Sequence, residues 1–379
     1  MFFLTLGYHL AVVRFLPEYA SNWFAQPAYG LGVWIVLGLI SASGWALMWT
    51  RSTKPWRVGA ASAGAFLVTL SPPIAIVLPG HPLVAWGFVV EGMGWFGVAL
   101  ALAITVFAAI VLRRSIWAAN NPRLLAIGIS VLGCWMVGVS FHQARLDGRA
   151  VEDMVAFNTG WGFPPRNDEE IIQRIEKAGA MTRAVSGGEG GARLVVFPET
   201  SIGQYDPSFG AVLRNELGDQ AKRAGQSIVI GAEIPMPDKT MQNLAFLIRK
   251  DGTMSYVVQR QPAMISMWAP WRERHFPANW LGNNILAIEP EFKARVMFCF
   301  EEYIPFLHLL NEARDQHSLV IAMANAWAAP NLEATIIQAT HTEGMVRLFG
   351  RQYLRAENYQ PAMAKARRAR EAARVIAPR

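Results

Sequence analysis

At 379 residues the chain is long enough for two structural units, each burying its own core. Hydrophobic residues make up 53% and charged residues 17%, a balance that leans toward a membrane protein. The net charge of +7 is dispersed over short loops and the C-terminal tail with no aromatic-interleaved basic groove, so direct nucleic-acid binding is not expected. The two cysteines, Cys134 in an apolar run and Cys299 far beyond it, exclude a disulfide-stapled secreted domain.

The average conceals a split. The first part, residues 1–145, is apolar and rich in Trp and Gly. Stretches near 27–49, 58–78, 93–112 and 124–141 each approach the roughly 20 residues that cross a bilayer, and the shorter 1–13 segment reads as a truncated span or an interfacial helix. Four to five spans are therefore expected. Arg51, Lys54 and Arg57 fill one short loop, and Arg113, Arg114 and Arg123 fill the loop two spans later. The positive-inside rule makes both cytoplasmic and sends everything after about residue 143 to the far side. In a Gram-negative cell this is a multi-pass protein of the inner membrane with its second domain in the periplasm. Glu91, beside Gly92-Met93-Gly94, is expected in an interfacial loop, and Pro72-Pro73 should break or kink the second span.

From about Val151 the pattern becomes that of a soluble α/β domain, covering residues 151–360. Ile171, Ile172, Ile175 and Met181 recur at near-helical spacing over 168–185. Leu194-Val195-Val196-Phe197 reads as a buried strand ending in Pro198-Glu199-Thr200. A helix over 210–224 leads into a strand at 227–231. Segments 243–248 and 254–258 flank Asp251-Gly252, a hairpin turn. Strands are expected at 294–298, running into Cys299, and at 319–323. Helix and strand alternate first and hairpins follow, which predicts an α/β or α+β sandwich. A basic tail, residues 361–379, carries Lys365, Arg367, Arg368, Arg370 and Arg374; such runs are most often solvated, and otherwise meet anionic membrane lipids. His308, His317 and His341 are scattered without ligand spacing, so no metal and no cofactor is expected.

Cys299 ends a strand, where rigid backbone commonly presents reactive groups. A thiol nucleophile needs a neighbour to take its proton, and Glu199, at the end of another core strand, can serve as that base once burial raises its pKa. A lone buried cysteine is more often inert packing.

The order of the segments carries more weight than either residue. Leu194–Thr200, Gly231-Ala232-Glu233, Asn243 followed by Asp251-Gly252, Cys299-Phe300-Glu301 and Asn325-Ala326-Trp327 together resemble the carbon–nitrogen hydrolase (nitrilase) superfamily. Arg347, Arg351 and Glu357 match the polar helix that follows in that superfamily. The resemblance implies an α-β-β-α sandwich, with Glu199 as general base, Cys299 as nucleophile and Glu301 orienting the turn or a water. Apolar spans ahead of such a domain resemble apolipoprotein N-acyltransferase. They resemble more fully the TraB-type conjugal transfer proteins, with which Gln259-Arg260-Gln261-Pro262 and Ser266-Met267-Trp268-Ala269-Pro270-Trp271-Arg272 are associated. Membrane lipids, an acyl or amide substrate and proteins of a conjugation apparatus are the partners this implies.

The superfamily's catalytic lysine is absent. Gln259 or Arg260 stands at its position; Lys239, Lys250 and Lys293 do not fit the spacing. Arg260 would offer fixed charge to an oxyanion, and Gln259 a neutral hydrogen bond. Glu273 matches the additional acid of the N-acyltransferase loop, and the aromatic 267–271 segment reads as a lid, a membrane-facing edge or core packing. Three functions stay open: a thiol-dependent amidase or acyltransferase in plasmid transfer, a non-catalytic scaffold of the conjugation apparatus, and a lipoprotein N-acyltransferase.

Overall fold

A computed structural model of the protein describes residues 2–47, 49–77, 79–117, 151, 153–186, 191–314 and 316–376. The expected span at 124–141, with Cys134, lies outside the described residues.

The N-terminal part is helical: α1 (Phe2–Val12), α2 (Leu16–Phe24), α3 (Pro27–Leu47), α4 (Pro55–Leu70), a single turn α5 (Leu83–Trp86) and α6 (Gly94–Trp117). Two of these, α3 and α6, are long and apolar enough to cross a membrane. Only 11% of the most apolar window of α6 is buried, so this uniformly apolar helix has almost no protein core around it. The expected span at 58–78 is corrected. Helix α4 has 16 residues and stops at Ser71, where Pro72-Pro73 cannot continue the backbone ladder, and a 3-10 turn, Ile74–Ile76, follows.

Two mixed sheets form the second part. The first contains β1 (Met154–Ala156), β2 (Leu194–Val196), β3 (Ser227–Pro235), β4 (Met241–Ile248) and β5 (Met254–Val258), in that order. Its β1, β2 and β3 run parallel, and β3, β4 and β5 form an antiparallel meander. The second contains β6 (Ile285–Glu289), β7 (Phe292–Phe298), β8 (Leu319–Asn325) and β9 (Gln352–Asn358), parallel except for the β6–β7 pair. Five further helices follow among the described residues: α7 (Asp168–Ala184), α8 (residues 210–224, with a π turn inside it), α9 (Pro305–Arg314), α10 (Glu333–Leu348) and α11 (Pro361–Ile376).

The period-2 alternation of strand side chains sets the layers. Leu194, Val196, Val229 and Leu247 of one sheet meet Val296, Phe298, Ile321 and Met323 of the other in a shared core. Their neighbours Val195, Phe197, Ile228 and Ile230 face Ile171, Ile175, Leu213 and Leu217 of α7 and α8. On the opposite side, Met297, Val320 and Tyr353 pack with Leu307 and Val346 of α9 and α10. The order is α-β-β-α, the layering expected from the resemblance. Helix α7 begins where the Asn167 side chain accepts the Glu170 N–H, with three acids in its first turn.

Strands β1, β6 and β9 are absent from the sequence reading. Glu357, placed there on a polar helix, lies on β9; the helix ends nine residues earlier, at Leu348.

The helical part is fixed firmly on the sandwich. A Cβ on Gly87 would lie 1.6 Å from Gly344 O, so α5 and α10 meet backbone to backbone. The Gly80 N–H donates to His341 Nε2 at 3.0 Å, Asn22 Nδ2 donates to Ala328 O at 3.0 Å, and Glu91 pairs with Arg347 at 2.6 Å. Arg113 and Arg114, expected in a loop, lie in the last turns of α6, and Arg113 Nη2 donates to Arg51 O in the segment before α4; Arg123 lies outside the described residues.

Candidate active site

Strand β2 runs out into Pro198-Glu199-Thr200, and the third strand lies so close that only glycine fits at 231. A Cβ there would sit 2.5 Å from Pro198 O and 2.7 Å from the Glu199 Cα. Strand β7 passes into a 3-10 turn, Cys299–Tyr303. Both exits are strained: Thr200 has φ 50° and Cys299 φ 27°, conformations that side-chain-bearing residues rarely adopt without a compensating role. Asn325, ending β8, joins the two. Its Nδ2 donates to Thr200 Oγ1, and its backbone N–H lowers the Cys299 thiol's pKa.

The Cys299 thiol and the Glu199 carboxyl line the same cavity, close enough for each to shift the other's titration. Burial pushes Glu199 up to about 8; the Asn243 hydrogen bond pulls the other way, and the negative charge of Glu233 adds to the rise. Burial, then the charge of Glu199, pushes the Cys299 thiol well up, offset in part by the Asn325 N–H. At neutral pH the resting pair is therefore mostly a carboxylic acid beside a thiol, and Glu199 must lose its own proton before it can take the thiol's.

Asn243 Nδ2 donates both to Glu199 Oε1 and to Gln259 Oε1. In this arrangement Asn243 Oδ1 and Gln259 Nε2 are buried without a partner among the described residues. Gln259 lines the cavity that holds Glu199 and Cys299; Arg260 does not. Successive residues at a strand end project to opposite sides, so the guanidinium of Arg260 lies away from the thiol. It is 1% exposed, with Nη2 3.8 Å from Met297 Sδ and with Nε and Nη1 unpaired. Of the two alternatives for the lysine position, the geometry brings Gln259 to the pair.

Glu301 is fully buried and lies outside the cavity lining. It accepts the backbone N–H groups of Arg260, Gln261 and Phe298, which clamps the nucleophile turn to the segment after β5. Glu273 is exposed and pairs with Lys239 on the surface, apart from the cavity. In the 267–271 segment, Met267 lines the cavity, Ala269 is buried and Trp271 is 66% exposed.

The cavity encloses about 890 Å³. The helical part supplies one wall, including Leu16, Tyr19, Trp23 and Phe24, and the sandwich supplies the reactive floor. No family model matches this chain. It is 21% identical over 364 residues to a probable conjugal transfer protein TraB of Sinorhizobium fredii, covering 92% of this chain and 85% of that protein. It is 23% identical over 381 residues to conjugal transfer protein TraB of Agrobacterium fabrum, covering 94% and 82%. The chain is homologous to the TraB conjugal transfer proteins.

Among solved structures, it is similar to an amidase from Nesterenkonia at 17% identity, with a TM-score of 0.33 over 45% of this chain and 65% of that one. A cysteine-to-alanine variant of the same nitrilase-superfamily amidase gives 17% and 0.33 over 47% and 67%. A TM-score that low bears on neither fold nor activity.

Several contributors around the site are missing from the sequence reading. Gln338 of α10 donates to Cys299 O at 2.6 Å and to Glu302 at 2.8 Å. Glu302 and Glu357 flank Arg355, all three side chains fully buried. Arg347 and Arg351 instead pair with Glu91 and Glu312. Glu233, named only as part of a landmark, lines the cavity, and burial pushes it up to about 7. In the tail, Arg367 turns inward and donates to Tyr359.

Proposed function

We propose that this TraB homologue is a membrane-anchored protein whose sandwich domain performs thiol-dependent acyl chemistry, as an amidase or acyltransferase supporting plasmid conjugal transfer. The observation that carries the reading is the placing of Glu199 and Cys299 together in the lining of one cavity, at two strained strand exits. Glu199 takes the thiol proton; the thiolate adds to an amide or ester carbonyl; collapse expels the amine or alcohol with the proton from Glu199, leaving an acyl-thioester on Cys299. Water or an amine then resolves it with Glu199 again as base. Gln259 Nε2, the orphaned donor, holds the oxyanion that the family's lysine would hold.

Membrane anchoring is supported by α3 and by the nearly bare α6. Arg113, toward the C-terminal end of α6, meets Arg51, whereas Glu91, just before the other end of α6, pairs with Arg347 of the sandwich; this favours a cytoplasmic basic end and a periplasmic catalytic domain in the inner membrane. The apolar cavity wall fits a substrate drawn from the membrane side, and lipoprotein N-acylation is one acyl transfer of that kind.

Complementation of a conjugation-deficient deletion strain tests the reading. Cys299→Ala and Glu199→Gln should lower plasmid transfer as far as the deletion does, at wild-type protein level in the membrane fraction. Undiminished transfer by both variants would establish the second reading, a non-catalytic scaffold, which the neutral Gln259 at the lysine position favours.

A further inference from the structure

Helix α2 belongs to the N-terminal part, yet it reaches the nucleophile. Asn22 anchors it to Ala328 O, and Trp23 packs on Trp327 with ring centroids 5.1 Å apart. Tyr19 stacks on Trp23, at 6.3 Å and 12° between planes, meets Phe15 edge-on at 6.3 Å, and packs against the buried cluster that contains Tyr303. Its ring is therefore held by two aromatic neighbours.

Its hydroxyl is not. Among the tyrosines around this turn, Tyr303 donates to Ala334 O, Tyr353 to Glu302 and Tyr359 to Glu357. Tyr19 has no hydrogen-bond acceptor among the described residues, and it lines the cavity with Cys299, Glu199 and Gln259. A donor that is fixed, partly desolvated and unsatisfied beside a nucleophile lacks only the acceptor that forms during reaction.

We infer that Tyr19 is a further catalytic residue, contributed by the helical part, whose O–H donates to the oxyanion of the tetrahedral adduct on Cys299. The inference rests on the acyl-transfer reading above. As the S–C bond forms, the carbonyl π pair moves to oxygen. The Tyr19 O–H and Gln259 Nε2–H hold that charge without giving up a proton, and the thiol proton stays on Glu199 until the leaving group takes it. Burial, with the charges of Cys299 and Glu199, drives the phenol's pKa further above its ordinary value, so it remains a donor throughout. The two neutral donors together stand where the superfamily uses one cation. The helical part is then a component of the active site as well as an anchor.

Two reactions of one thiol separate this role from packing. Acylation by p-nitrophenyl butyrate passes through an oxyanion; alkylation by iodoacetamide, a displacement at carbon, does not. In the full-length protein in detergent, Tyr19→Phe keeps the ring and its stacking. It is expected to slow the acylation burst by about 10²–10³-fold, the range of losing one oxyanion donor, and to leave the alkylation rate and its pH profile unchanged. Wild-type acylation by Tyr19→Phe overturns the inference and leaves the acyl reading intact. Equal slowing of both reactions also overturns it, in favour of packing. A wild-type protein that alkylates but never acylates contradicts the acyl reading, and the inference falls with it.

Discussion

Burial holds the Glu199 carboxyl at about 8 and pushes the neighbouring thiol upward, so protonation governs what the pair does. Reaction at Cys299 needs ionised Glu199. Its alkylation by iodoacetamide should rise about tenfold per pH unit up to roughly 8 and then level; Glu199→Gln should remove that limb. The same shift predicts a stability effect. The folded pKa of about 8 lies above the ordinary value of 4.5, so the folded state retains a proton that the unfolded state releases, and stability declines as pH rises through that window. Glutamine does not titrate. The melting temperature of Glu199→Gln relative to wild type should therefore climb between pH 5 and pH 8. Gln259→Ala should slow acylation by p-nitrophenyl butyrate by about 10²–10³-fold with alkylation unaffected. Glu199 and Cys299 were legible in the sequence because each ends a short apolar strand. The choice between Gln259 and Arg260 was not, because adjacent residues at a strand exit project to opposite faces and only the register decides between them. Tyr19 was invisible as a site residue: it lies 280 positions before Cys299, between the apolar stretches at 1–13 and 27–49, where the sequence reading places no element.

Among the elements, α10 carries much of the organisation. One face holds the nucleophile turn through Gln338, and another receives α5 at Gly344 with no room for a side chain. Gly344→Ala would put a Cβ 2.3 Å from Val84 O. A backbone collision of this kind should cost about 1–3 kcal/mol, measurable as a lower urea midpoint for the detergent-solubilised protein. Beneath the turn, Arg355 on β9 is shared between Glu302 and Glu357. Arg355→Met would leave two buried carboxylates without their cation, and should destabilise by about 3–5 kcal/mol. Strand β9 escaped the sequence reading for the same physical reason: its Arg355 and Glu357 break the apolar alternation that marks a strand, and only their mutual pairing makes them acceptable inside a core. Strands β2, β3, β7 and β8 are plain in the sequence because they are buried on both faces and run apolar throughout.

At the scale of the whole molecule, the two parts recognised by composition meet at one cavity, which neither encloses alone. Composition separated them well but gave no sign that α2 would roof the site, since the Asn22–Ala328 contact joins residues 306 positions apart. The nearly bare α6 predicts that the full chain stays with membranes after alkaline carbonate extraction; release into the supernatant would count against anchoring. The central claim, that Cys299 is the acyl-accepting nucleophile of this cavity, is tested most directly by mass spectrometry of the full-length protein after brief reaction with p-nitrophenyl butyrate. The account predicts one added butyryl group, mapped to the peptide containing Cys299, absent from Cys299→Ala and diminished in Glu199→Gln. No adduct on Cys299, under conditions where iodoacetamide labels it, would contradict the account.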